Sequence, residues 1–329
     1  MKISDVARHA GVSPSTVSYV LSGKRTISEE TRHRVMDSVR TLGYRPHAGA
    51  RALASSRSNV IALVVPLRSG MHVPVVMQMA ISAVTTARTY DHDVLLLTQD
   101  EGVGGLERVA GTALVDAIIV MDVELHDVRL PVLRSLDRPS VLIGFPADPT
   151  GLTCVDFDFE AAGAACADHL AALGHHEIAL VGAPPAVYER GTGFAERTKA
   201  GFQRAAAERG VHALVRPCDP QYARSTAAEI LRDHPGLTGI VIHNEPAMEP
   251  LVAAFRAAGR RIPGDLSVIA IAPDDLADRL SLTSIAIPAD DVGRHAVTLL
   301  MAKLDGHDVP EATLLPPRLV VRSSTLQTP

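Results

Sequence analysis

The sequence predicts an α/β protein built from a three-helix head of helix-turn-helix type, a short linker and a two-lobed body with doubly wound parallel sheets. The head is expected over residues 1–46, the linker over 47–58 and the body over 59–329. Three observations lead to this prediction: closely spaced helix signals near the N-terminus, apolar runs that alternate with alanine-rich segments beyond residue 60, and positive charge concentrated in the first 58 residues.

Composition limits the class of protein. With 329 residues, 47% of them hydrophobic, the chain can bury a large core divided into two or three units. No run of about 18 uncharged apolar residues occurs, and the N-terminus lacks the apolar stretch of a signal peptide, so we expect a cytoplasmic protein. Cys154, Cys166 and Cys218 have no CxxC spacing, so they predict neither a disulfide nor a metal site, and no cofactor is expected.

Charge is distributed unevenly along the chain. The first 58 residues hold ten basic and four acidic side chains, a net charge of +6, whereas the other 22 basic and 33 acidic residues give the remainder −11. A positive head on an acidic body suits a head that approaches a polyanion such as DNA. A solvated basic surface is the alternative that charge alone leaves open.

Two short helices joined by a tight turn are predicted at the N-terminus. Ser4 is the expected N-cap of the first helix, and Gly11 is its expected end. Ser13 is a favoured N-cap and Pro14 a favoured first helical residue, so a second helix is expected directly after the turn. Such a pair forms a helix-turn-helix.

Projection at about 100° per residue gives the second helix an apolar side and a polar side. The apolar residues are Val17, Val20 and Leu21, and the polar ones are Ser15, Ser18, Tyr19 and Ser22. The apolar side is expected to dock on the first helix, while hydroxyl groups and one aromatic ring suit phosphates and base edges in a major groove. An amphipathic helix with a serine-rich solvent face is the alternative, but the adjoining basic charge favours DNA.

A third helix is predicted between Ser28 as N-cap and Gly43 as its end, with Val35, Val39 and Leu42 as its apolar stripe. The linker that follows is rich in small residues, and a glycine within it lowers helix stability by about 1 kcal/mol relative to alanine. We therefore expect the linker to become ordered only on binding.

Beyond residue 60, apolar runs alternate with helical stretches, which predicts parallel sheets covered by helices on both faces. The predicted strands cover residues 60–66, 94–98, 117–121, 141–144, 178–182, 240–243 and 268–272. The predicted helices cover residues 75–90, 160–173, 194–209, 247–258 and 290–304. A body of this length favours two lobes, with a ligand cleft beyond the carboxyl ends of the strands.

The chain resembles the family of the lactose and galactose repressors, the LacI/GalR family. Residues 3–18, ISDVARHAGVSPSTVS, match the N-terminal signature of this family, and 42–46, LGYRP, match a later landmark. In the body, residues 172–182, ALGHHEIALVG, and 262–269, IPGDLSVI, extend the likeness. The resemblance implies a transcription regulator with a periplasmic-binding-protein-like type I body.

For DNA, the resemblance implies a homodimer or a larger assembly whose recognition helices enter the major groove of a palindromic operator, while the linkers fold as hinge helices in the minor groove. The residues that it assigns to DNA are Ser4, Ser13, Ser15, Thr16, Ser18, Tyr19, Arg25, Tyr44, Ala50 and Leu53. Leu53 is the expected wedge between base pairs. Gly49 and Ala54 depart from the family pattern, so a marginal hinge with less minor-groove charge is expected.

For the cleft, the resemblance implies a small effector, most often a sugar, that relieves repression. The residues that it assigns to the effector are His72, Arg190, Arg197, Asn244, Asp274 and Asp275. Arg197 stands one residue farther from Gly201 than in the family pattern. Where the family ends a strand with an aspartate, this chain has Ala272, and Asp274 and Asp275 follow two and three residues later.

Two other classes of protein compete with a regulator. A sugar-binding transport protein would share the body, but it would need a signal peptide and no DNA head. An enzyme is disfavoured because no GxSxG, HExxH or Walker A motif occurs. The GTG at residues 191–193 is interpreted as a loop at a helix start, and the HHE at 175–177 lacks metal-ligand spacing.

Overall fold

The computed structural model describes residues 1–22, 25–44, 57–68, 73–99, 101–112 and 114–328. Three residues assigned to binding, Ala50, Leu53 and His72, lie outside these ranges, together with most of the expected linker.

The head consists of α1 (Ile3–Ala10), α2 (Pro14–Ser22) and α3 (Glu29–Leu42). Gly11 and Gly43 end α1 and α3 in left-handed backbone, with φ of 64° and 57°. The three helices share one small core of buried residues: Val6, Ala7, Ala10, Val17, Val20, Val35 and Tyr44. The predicted docking of α2 on α1 and the apolar stripe of α3 are therefore confirmed.

The helix caps follow the prediction at α2 and α3 but not at α1. Oγ of Ser13 accepts the N–H of Thr16 at 3.1 Å, and Oγ of Ser28 accepts the N–H of Thr31 at 3.4 Å. Ser4 is not a cap, because α1 already begins at Ile3. The carboxylate of Asp5 instead accepts the backbone N–H of Lys2 at 2.8 Å, so an acidic side chain holds this helix start.

The first lobe contains a six-stranded sheet. Its strands are β1 (Val60–Val64), β2 (Asp93–Leu97), β3 (Ala117–Val120), β4 (Ser140–Ile143), β5 (Cys154–Phe157) and β11 (Ala312–Leu315). Their order across the sheet is β11-β5-β4-β3-β1-β2, and every pair is parallel. The helices of this lobe are α4 (Val73–Thr89), α5 (Gly102–Ala110), α6 (Leu130–Ser135) and α13 (Ala289–Leu304). The sheet separates α4 and α13 from α5 and α6, so both of its faces are covered.

The second lobe contains another six-stranded sheet. Its strands are β6 (Glu177–Gly182), β7 (His212–Pro217), β8 (Gly239–Ile242), β9 (Ser267–Ala272), β10 (Thr283–Ala286) and β12 (Leu319–Val320). The order is β12-β10-β9-β8-β6-β7, with β12 antiparallel at the edge. The helices are α7 (Phe159–Ala172), α8 (Pro185–Glu189), α9 (Gly193–Glu208), α10 (Ala223–Asp233), α11 (Glu245–Ala257) and α12 (Asp274–Arg279). The predicted doubly wound lobes are thus confirmed, and each predicted strand and helix is present.

Within the described residues the chain passes between the lobes three times: from β5 to α7, from β10 to α13 and from β11 to β12. The buried core is continuous across these crossings, since one apolar cluster includes Ile119 of the first sheet and Val241 of the second. The crossings place the carboxyl ends of both sheets next to each other.

Glycine allows close helix packing in both lobes. A Cβ built on Gly201 of α9 would lie 1.9 Å from the carbonyl oxygen of Glu160 on α7, and one built on Gly293 of α13 would lie 2.3 Å from the carbonyl oxygen of Met79 on α4. Neither position has room for a methyl group, so these two helix pairs owe their separation to glycine.

We expect Gly201→Ala to lower the free energy of unfolding, although alanine favours a helix by about 1 kcal/mol, because overpacking of this kind removes about 1–3 kcal/mol. Gly104→Ala in α5 is the matched control, since no atom lies within 4 Å of its built Cβ, and it should stabilise or be neutral. Urea unfolding of both variants measures the effect, and equal changes in the two would contradict the packing argument.

Candidate nucleic-acid interface and ligand cavity

The exposed surface of α2 carries hydroxyl groups above an apolar underside. Ser15 and Tyr19 are exposed, and Thr16 and Ser18 are partly exposed. The core beneath them holds Val17 and Val20, so the polar side chains cannot turn inward. The predicted recognition surface is therefore present as an exposed polar face, and Ser4 and Ser13 are exposed near it.

Arg25 and Tyr44 occupy different environments. The guanidinium of Arg25 lies 5.4 Å from the ring centroid of Tyr19, which places a positive charge beside the α2 face. Tyr44 is only 6% exposed and packs in the core of the head. The ring of Tyr44 thus belongs to the packing that holds the three helices together, and its assigned contact with DNA stays a prediction.

The end of the linker is fixed to the first lobe. Nη2 of Arg57 donates to the carbonyl oxygen of Leu304 at 3.1 Å, where α13 ends. The buried carboxylate of Asp116 accepts the N–H of Ser58 and the N–H of Asn59, both at 2.7 Å. Asn59 has a left-handed φ of 56°, so the chain turns sharply where it enters β1.

A cavity of about 110 Å³ lies between the lobes, at the carboxyl ends of strands from both sheets. A single water needs only about 10–15 Å³, so the cavity can hold a small organic molecule. Most of its wall is apolar: Val75, Val76, Met79, Met121, Val123, Ile143, Gly144, Phe159, Val187, Phe194 and Ile287. Its polar residues are Asp122, Asp156, Arg190, His243 and Glu245.

Asp122 is the polar residue that is most tightly held. It lies two residues after the end of β3 in left-handed backbone, with φ of 53°, and its carboxylate accepts Nη1 of Arg68 at 3.1 Å. Burial raises the pKa of Asp122, while the charges of Arg68 and Arg190 counteract this rise. Since Arg190 belongs to the second lobe, an attractive charge pair spans the cavity.

Asp156 and Glu245 face the cavity from opposite lobes. Asp156 lies within β5 and is 5% exposed, and burial raises the pKa of its carboxyl to about 7. Glu245 is the first residue of α11, and burial raises the pKa of its carboxyl to about 7 as well. The carboxylate of Asp156 accepts the N–H of Phe157 at 2.9 Å, and neither carboxyl accepts from another side chain within the described residues.

Three rings form one wall of the cavity. His243 stacks on Phe159 with centroids 5.4 Å apart and meets the edge of Phe194 at 5.5 Å. Burial lowers the pKa of His243 to about 4, so the imidazole is neutral at pH 7. An uncharged stacked wall of this kind suits the apolar face of a sugar ring or another flat ligand surface.

The residues that sequence reasoning assigned to the effector do not all meet here. Arg190 lines the cavity. Asn244 is 3% exposed and lies between two cavity residues, but its Nδ2 donates to the carbonyl oxygens of Gly182 and Cys218 at 2.8 and 2.7 Å. Its amide therefore fixes the end of β8, and Glu245 reaches the cavity instead.

Arg197, Asp274 and Asp275 lie away from the cavity wall. Nη2 of Arg197 donates to the carbonyl oxygen of Pro146 at 3.2 Å, and its guanidinium stacks 5.3 Å from the ring centroid of Phe145, so it ties the second lobe to the first. After the buried Ala272 and Pro273 the chain enters α12, and the two aspartates of its first turn line a separate surface groove. Asp274 there pairs with Arg322 at 3.1 Å.

Backbone hydrogen bonds join the two lobes beside the cavity. The N–H of Gly193 donates to the carbonyl oxygen of Val123 at 2.9 Å, and the N–H of Leu125 donates to that of Gly191 at 2.8 Å. Gly191 and Thr192 form the loop that begins α9, which confirms the interpretation of the GTG sequence as a loop at a helix start.

Within the described residues, no group of three or more His, Cys, Asp or Glu side chains could hold a metal ion. None of the helices in the described ranges is long and apolar enough to cross a membrane. Cys154, Cys166 and Cys218 are free and buried.

Comparison with protein families gives two matches on separate parts of the chain. Residues 2–47 match the bacterial regulatory proteins of the lacI family. Residues 167–325 match a periplasmic binding protein-like domain. The first match covers the three-helix head, and the second covers most of the second lobe.

Relatives match along nearly the full length. The HTH-type transcriptional regulator DegA of Bacillus subtilis is 31% identical, covering 98% of this chain and 97% of its own. Catabolite control protein A of Priestia megaterium is 28% identical over 98% of each chain. A lac repressor dimer bound to operator and an anti-inducer has the same fold, with a TM-score of 0.83, 23% identity and 99% of each chain covered. This chain therefore belongs to the LacI family of DNA-binding transcription regulators, which are not enzymes, and has a periplasmic-binding-protein-like effector domain.

Proposed function

We propose that this regulator is a cytoplasmic repressor that binds a palindromic operator. A sugar-like effector in the interlobe cavity controls its affinity for that operator. The proposal rests on two features of one chain. The head presents the exposed hydroxyl face of α2 on a packed three-helix core, and the body contains a cavity with hydrogen-bond acceptors beside stacked rings. The relatives include a ribose operon repressor of Halalkalibacterium halodurans, and the solved structures include a regulator in complex with cellobiose. Both names support a sugar.

The DNA contacts that we propose come from Ser15, Thr16, Ser18 and Tyr19 on α2, with Arg25 beside them. Ser4 and Ser13 contribute phosphate contacts, Leu53 acts from the linker as a wedge into the minor groove, and Ala50 is a further contact of the linker. For the effector we propose Arg190 and Glu245 from the second lobe and Asp122 and Asp156 from the first. His72, next to α4 in sequence, remains a proposed contact.

The full-length protein should select a two-fold symmetric duplex from a random pool. Its affinity should fall by about 10³ or more between 50 and 200 mM salt if it neutralises six phosphates or more. Tyr19→Ala and Ser15→Ala should relax base preference by about 1–3 kcal/mol per position and leave the salt slope unchanged. Ser135→Ala, remote on α6, is the control. Failure to select any symmetric site, with or without metabolites, would contradict the proposal.

We also propose that two copies pair through the outer face of α4 and the edge strand β2. Apolar side chains on this face are exposed in the single chain: Ile81 at 58%, Val84 at 43%, Leu95 at 38% and Leu96 at 42%. A second copy would remove this apolar surface from water, and an edge strand is a favourable place for association.

Leu96→Asp should convert the protein into a monomer and weaken operator binding, because each half-site would then be bound independently. Light scattering coupled to gel filtration measures the mass. Val321→Asp, which places the same charge at a position 64% exposed on the other lobe, is the control. A dimer that survives Leu96→Asp and Ile81→Asp would place the interface elsewhere.

The two arginines near the cavity should differ in their effect on the ligand. A thermal-shift screen of mono- and oligosaccharides identifies ligands, since binding raises stability by about 2.7 kcal/mol at 100 times the Kd. Arg190→Ala should weaken the affinity of such a sugar at least about 10-fold, because a charged hydrogen bond contributes about 1.5–3 kcal/mol. Arg197→Ala should mainly loosen the lobes and shift operator affinity without sugar. Equal sugar affinity in the wild type and Arg190→Ala would remove Arg190 from the site.

A further inference from the structure

The charges around the cavity do not balance within the described residues. Three carboxyl groups, those of Asp122, Asp156 and Glu245, share the wall with the single guanidinium of Arg190. Asp122 is already matched by Arg68 at 3.1 Å. This leaves Asp156 and Glu245, one on each lobe, as the carboxyl groups without a cationic partner in contact within the described part of the chain.

Other charged groups lie close but do not neutralise this pair. Arg197 attracts the carboxylate of Asp156, but its guanidinium bonds to the carbonyl oxygen of Pro146 and stacks on Phe145. Asp158 repels the carboxylate of Asp156. His243 stays neutral in its aromatic stack, so it adds no positive charge.

We propose that the effector carries a protonated amine that binds between Asp156 and Glu245 when the lobes close, so that the ligand class is an amino sugar or a similar amino polyol. This inference rests on the proposed function and adds the charge of the ligand to it. The apolar wall and the stacked rings then contact the ring of the ligand, and Arg190 binds a hydroxyl or another acceptor at its far side.

The physical reason is the cost of a buried charge without a partner. An apolar wall disfavours ionised carboxylates, which is why burial raises the pKa values of Asp156 and Glu245 to about 7. A ligand cation stabilises the ionised forms and draws protons off both groups. A neutral hydroxyl only accepts or donates one hydrogen bond, and it gains less from the same acceptors.

The test compares matched ligands on the full-length protein: D-glucosamine, D-galactosamine and D-mannosamine, each beside its neutral parent sugar and its N-acetyl derivative. Isothermal titration at pH 7 should show at least one amine that binds about 10-fold more tightly than both neutral partners, with protons released to the buffer. The proposal is overturned if no amine binds, or if the neutral sugars bind as tightly as the amines.

Asp156→Asn and Glu245→Gln should each reduce the preference for the amine by about 10-fold. Asp148→Asn is the matched control, because this exposed aspartate pairs with Arg134 on the same lobe and should keep the preference. Folding is checked by stability: a carboxyl whose folded pKa is raised destabilises the free protein increasingly as pH rises from its unfolded value toward 7. Asp156→Asn should therefore stabilise the unliganded protein more at pH 8 than at pH 5, and a folded Asp156→Asn that retains full amine preference overturns the assignment.

Operator affinity measured in the same titrations separates the two proposals. If a neutral sugar binds and changes operator affinity while the amines do not, the amine assignment fails and the sugar-controlled regulator stands. If no member of the panel binds, the amine assignment fails, and the sugar effector fails only if the thermal-shift screen of mono- and oligosaccharides also finds no ligand.

Discussion

The juxtaposition of two parallel sheets across three chain crossings is the constraint on which the rest of the structure depends. Parallel strands gather their carboxyl ends at one edge, and the crossings bring the edges of both sheets together. Residues that leave these strands, such as Asp122 after β3 and His243 after β8, then face one cavity without any contact between their strands. The arrangement of the two sheets therefore fixes the location of the cavity, and the side chains fix its chemistry.

The cavity combines two kinds of surface that act on a ligand in different ways. The apolar wall and the rings of Phe159, Phe194 and His243 favour a flat molecule without selecting its polar groups. The buried carboxyls act more selectively, because a charge in an apolar setting gains most from a partner of opposite sign. Beside them, backbone groups join the two lobes, among them the N–H of Gly193 and the carbonyl oxygen of Val123.

The sequence predicted the head and the alternation of strands and helices because both depend on local signals. A few neighbouring residues are enough to recognise the caps Ser13 and Ser28 and the apolar stripes. At the start of α1, however, the carboxylate of Asp5 and not the hydroxyl of Ser4 accepts a backbone N–H, and residue propensities favour both equally. Strand β5 was missed because Asp156 interrupts its apolar run. Asp122 could have been found, since it directly follows a predicted strand. The sequence could not show which of Arg190 and Arg197 lines the cavity, because this depends on how the turn at Gly191 orients α9 against Phe145.

Helix α13 has its two ends at two functionally different places. Its N-terminal end follows Ile287 on the cavity wall, and its last carbonyl, that of Leu304, accepts the guanidinium of Arg57 at the end of the linker. Its 16 residues span about 24 Å, and Gly293 lets it pack closely against α4. One continuous helix thus connects the cavity wall to the end of the linker that leads to the head, so a tilt of this helix would move both.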